Sequence, residues 1–113
     1  MNEVESLMDE VVRKIPMTKE YNQYRDLLER LKAQPELYRR VAEFRRRSVA
    51  IQMSEGEDAI QQNNNLQNEF RDLQSNGLSS EFFMAEHQYC RMIGNLQKKF
   101  LEGAEIETGF LEE

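Results

Sequence analysis

Along most of the chain apolar residues recur every third or fourth position, the spacing of one face of an α-helix. Val4, Leu7, Met8, Val11, Val12 and Ile15 make the first stripe. Pro16 ends it, because a proline pushes the residue before it out of helical geometry. Thr18 offers the hydroxyl of an N-cap, and a second stripe follows through Tyr21, Tyr24, Leu27, Leu28 and Leu31. Pro35 suits the first turn of a third helix, where its missing N–H is no loss, and Glu36 suits the positive end of the helix dipole. That helix carries Leu37, Val41, Phe44, Ser48 and Ile51 on one side and breaks at Ser54-Glu55-Gly56-Glu57.

A fourth helix is predicted through Ala59, Ile60, Leu66, Phe70 and Leu73, weakened by Gln61-Gln62-Asn63-Asn64-Asn65 because asparagine is a poor helix former. Asn76-Gly77 reads as a left-handed cap closing it, and Ser79 as the start of a fifth helix. On that helix Phe82, Glu86, Tyr89, Ile93, Leu96 and Phe100 fall on alternating steps of four and three, a heptad seam with one carboxylate in it. Running from about residue 80 to about residue 104, it would be roughly 37 Å long. A compact domain of this size is only about 34 Å across. No strand-like alternation occurs. The pattern predicts an all-α fold of about five helices in an elongated antiparallel bundle with a long C-terminal helix. Such a bundle hides its remaining apolar seams by self-association, as a dimer or higher oligomer, and the seam above is the candidate interface.

The 113 residues suit one domain, predicted over 1–107, with 108–113 as an acidic, mobile tail. With 39% of residues hydrophobic and 32% charged, the core has to be small. One cysteine cannot form an internal disulfide. No apolar run approaches the roughly 18 residues of a membrane helix, and the first residues are acidic where a signal peptide is basic. Cytoplasmic location without membrane insertion is the expectation. A net charge of −6 argues against DNA binding, which needs clustered cations, and leaves RNA as an indirect partner unless a local basic stripe serves.

Such a stripe exists. Residues 36–47 hold five arginines against Glu36 and Glu43. Arg39, Arg40, Arg46 and Arg47 are read as clustering opposite the Leu37–Val41–Phe44 stripe. They are the candidate partner-binding residues, since arginine's planar fork suits carboxylates and phosphates alike. A solvated face that balances an acidic protein is the plainer reading. Glu86 either keeps its head in water or pairs across a helix interface, with Arg45 as a candidate partner. His87 is the sole histidine, which removes most metal and catalytic constellations, and it reads as a surface residue. Cys90 reads as a small buried hydrophobe, with a redox or cluster role as the alternative. No catalytic, cofactor or metal site is assembled. The last 13 residues carry a charge of −5, from Glu102, Glu105, Glu107, Glu112 and Glu113, and are able to meet the arginine stripe of another subunit.

Three stretches resemble the YlbF/YmcA family of small helical bacterial regulators: Thr18-Lys19-Glu20-Tyr21-Asn22-Gln23-Tyr24; Pro35-Glu36-Leu37-Tyr38-Arg39-Arg40-Val41-Ala42-Glu43-Phe44; and Leu78-Ser79-Ser80-Glu81-Phe82-Phe83-Met84-Ala85-Glu86. The resemblance runs to about Glu107. It implies a self-associating all-α fold and a role in competence, sporulation and biofilm formation, with other regulators of the same type as partners. Some relatives modulate messenger-RNA processing through a partner ribonuclease, and some hold iron–sulfur clusters by cysteines near their carboxyl termini. This chain ends in Thr108-Gly109-Phe110-Leu111-Glu112-Glu113, and Cys90 does not match those cysteines, so no cluster is carried over. The expected function is a non-enzymatic regulatory adaptor. The alternatives are an RNA-binding protein using the Arg39–Arg47 stripe and a sensor built on Cys90.

Overall fold

The computed structural model describes residues 2–54, 56 and 58–104. Among them lie six α-helices and no strand: α1 Glu3–Lys14, α2 Lys19–Lys32, α3 Pro35–Met53, α4 Asp58–Glu69, α5 Arg71–Ser75 and α6 Gly77–Gly103. The expected tail, 108–113, lies outside the described residues.

The punctuation has local causes. Asn2 caps α1 by accepting from the Glu5 N–H at 2.8 Å. Pro16 sits in a 3-10 turn, Ile15–Met17, that separates α1 from α2. Thr18 caps α2 through the Tyr21 N–H at 3.2 Å. Gly56, at a φ of 148° that side chains rarely adopt, lies in the break after α3.

Two expectations are corrected. The fourth helix is two, because Phe70 leaves helical geometry at φ −108° and ψ 23° and α5 restarts behind it. That kink lets Leu66, Phe70 and Leu73 all reach the core, while Ile60, counted on the same stripe, is exposed. Asn76-Gly77 is not a left-handed cap. Asn76 is extended, and its side chain accepts from the N–H groups of Leu78 and Ser79, so it opens α6 and Gly77 is the first helical residue. Ser79 is buried instead, its hydroxyl donating to the Leu73 carbonyl and tying α5 to α6.

α2 lies antiparallel along α6, with Tyr24 stacked on Tyr89 at 5.1 Å between ring centroids. α4 returns along α3, and α5 packs on α6. Leu31, Val41, Leu66, Phe70, Leu73 and Phe82 form the core where these elements converge, with Tyr24, Phe44 and Phe83 packed around it. The radius of gyration is 18.0 Å, against about 13 Å for a compact domain of this length. The molecule extends 49 × 39 × 20 Å, and the 27 residues of α6 account for about 40 Å of rod.

Candidate functional site

The arginines of α3 do not form one outward patch. At 100° per residue Arg40 and Arg47 border the apolar stripe, and both fold over the α4–α5 kink. The guanidinium of Arg40 lies 4.4 Å from the Phe70 ring centroid and pairs with Asp72. Arg47 makes two bonds to Glu69, at 2.9 and 2.8 Å, and lies 5.4 Å from the same ring. That fork-on-fork contact pulls the Glu69 carboxyl below its usual range. Only Arg39 and Arg46 point outward as expected, and they pair with Glu36 and Glu43 on their own helix. The stripe is thus largely neutralised from within.

Glu86 and Arg45 form an ion pair between α6 and α3, and Arg45 also lies 5.5 Å from the Phe83 ring centroid. Beside Glu86, the Tyr24 phenol is pushed upward, first by burial and then by that carboxylate. The heptad seam of α6 is accordingly divided. Phe82 is buried, Tyr89 stacks on Tyr24, and Glu86 is held by Arg45, so these three serve the chain's own fold. Ile93 is half-buried, while Leu96 and Phe100 remain exposed.

Cys90 is exposed rather than buried, because it stands about a quarter-turn away from the seam by helical spacing. His87 is exposed too. Among the described residues no group of three or more His, Cys, Asp or Glu is placed to hold a metal ion, and no helix is long and apolar enough to cross a membrane.

Two features escaped sequence reasoning. The first is how bare α1 is: none of its residues is buried, and Val4 and Val12 are 69% and 57% exposed. Its stripe was legible, but its lack of a partner was not. The second is an open groove between α2 and α6, of roughly 520 Å³, lined by Lys19, Gln23, Arg91, Met92, Leu96 and Lys99 among others. Its residues come from two distant stretches, so no spacing rule joins them. Met92 and Leu96 give the groove apolar surface, and its charged residues are Lys19, Arg91 and Lys99 with one carboxylate, Glu20.

Comparison with curated proteins and with solved structures returned no match. A family model does match: residues 4–103 fit control of competence regulator ComK, YlbF/YmcA. The matched span runs from α1 to the end of α6 and so takes in the bare helix, the groove and the divided seam. The chain belongs to the YlbF/YmcA family of competence regulators.

Proposed function

We propose that this regulator is a non-enzymatic adaptor that works by docking on proteins, first on a second copy of itself. The observation that carries the reading is the apolar face of α1, with the exposed end of the α6 seam, which one copy leaves in water. Such contiguous apolar surface is a mark of interaction sites. Area supports it. The accessible surface is 9035 Å², where size scaling gives about 6,500 Å² for a compact monomer of this mass. A standard interface needs only about 800 Å² per partner, well within that excess of about 2,500 Å².

Further regulators of the same type are the second class of partner, and any effect on messenger-RNA processing would pass through them. Direct RNA binding by the arginine stripe draws little support, because its arginines already face carboxylates. Light scattering on the purified protein tests the reading. The expected mass is at least twice 13.4 kDa. A well-folded monomer at every concentration, deaf to other family members, defeats it.

A further inference from the structure

We propose that two copies pair by reciprocal exchange, α1 of each lying in the groove between α2 and α6 of the other. The inference rests on the self-association proposed above and specifies its geometry.

The two surfaces complement each other in shape class and in charge. The groove is lined by the apolar Met92 and Leu96 and by three cations, Lys19, Arg91 and Lys99, against one carboxylate, Glu20. Unlike the α3 arginines, none of these three cations has a carboxylate within ion-pairing distance among the described residues. α1 presents the opposite pattern. At 100° per residue its apolar stripe is bordered by Glu3, Glu10 and Lys14 on one edge and by Glu5 and Asp9 on the other, so carboxylates outnumber cations there four to one. These four carboxylates have no cationic partner among the described residues either. The groove is net positive and α1 net negative.

The chain's own α1 does not fill its own groove, since no α1 residue lines it. The connecting turn holds it away. The Thr18 N–H and hydroxyl both donate to the Ile15 carbonyl, at 3.0 and 2.7 Å, and the Asn22 side-chain amide donates to the Pro16 carbonyl at 3.0 Å. A second copy is the occupant that supplies an identical acidic helix without undoing that turn. Two-fold symmetry then fills both grooves and leaves no open end. Pairing α1 on α1 is the rival arrangement. It sets four carboxylates and two cations against the same set, a net repulsion that the cationic groove avoids.

Mutagenesis of the full chain, read by light scattering and circular dichroism, decides between them. Leu7→Ser with Val11→Ser touches no buried residue. It should reduce the mass to that of one chain while the core helices persist. Leu96→Ser should do the same from the groove side. Glu3→Lys with Glu10→Lys should weaken dimerisation at least about tenfold, as loss and reversal of close charge pairs does across interfaces. Adding Lys19→Glu and Lys99→Glu to that variant should recover most of the loss. A dimer that falls apart with the α1 changes, ignores Leu96→Ser and is not rescued by the groove reversals overturns the exchange in favour of α1 on α1. A dimer indifferent to the α1 changes overturns it as well, while leaving the adaptor reading standing. Only a wild-type protein that is a monomer removes both.

Discussion

Glu86 occupies a seam position that packing would give to an apolar side chain, and its surroundings explain why a carboxylate is tolerated there. Arg45 reaches it from α3, and Tyr24 lies close enough for its phenol to be pushed up by the negative charge as well as by burial. Replacing Glu86 by Gln should therefore lower the Tyr24 titration midpoint without returning it to that of a free tyrosine, since burial, the larger cause, remains. Ultraviolet or NMR titration of the tyrosines reads the change. A midpoint that does not move would separate Glu86 from the Tyr24 environment. The Arg47–Glu69 fork gives a second pH dependence. Its hydrogen bond holds Glu69 ionised to lower pH than in the unfolded chain. The stability it adds is present above the unfolded pKa and is lost as pH falls through the depressed folded one. Both groups are solvent-exposed, so the effect is small and screened by salt. Glu69→Gln should lack that increment at and above the ordinary carboxylate range and therefore lose less stability as pH falls below it, and an unchanged acid limb would show that the fork adds nothing.

Helix boundaries follow from caps, and here the structure differs most usefully from the periodic reading. α6 begins one turn earlier than its apolar stripe suggests because Asn76 satisfies two N–H groups of the first turn. Asn76→Ala should cost about 0.5–2 kcal/mol in urea unfolding. A value near zero would mean that packing of Leu78 and Ser79 alone sets the start. Pro16, Thr18 and Pro35 were legible because each acts through its own backbone or its nearest neighbours. The Phe70 kink was not, since Phe70 leaves helical geometry where tertiary packing draws Leu66, Phe70 and Leu73 into one core. The site divides in the same way. The Arg45–Glu86 pairing was open to anticipation because a carboxylate in an apolar seam asks for a cation. Arg40 and Arg47 were misplaced because their positions beside the stripe were read as opposite it, although the step of about 100° that separates each from Arg39 or Arg46 decides whether arginine lies over Phe70 or in water. Cys90 failed for the same angular reason. The groove was invisible, since Lys19 and Lys99 meet only when α2 and α6 pack.

At the scale of the whole molecule, a core of few residues supports long helices that extend past it. α1 has 12 residues, and isolated helices shorter than about 12–15 residues are marginal in water. It needs a surface to lie on. In the proposed exchange that surface belongs to the other subunit, so α1 helicity, dimerisation and thermal stability are linked equilibria. Anything that binds the folded form alone raises the midpoint of unfolding with its concentration, and here the binding species is the protein itself. Melting followed by circular dichroism over a hundredfold dilution series should show a midpoint that falls as the protein is diluted. Ellipticity at low temperature should also decline at the most dilute end, by an amount no larger than α1 contributes. The Leu7→Ser, Val11→Ser protein should melt at one temperature throughout the series, near the wild-type value at infinite dilution, because its core is untouched. If wild type and variant instead keep the same midpoint at every concentration, α1 is helical on its own account, and the link between the bare helix and a second subunit is broken.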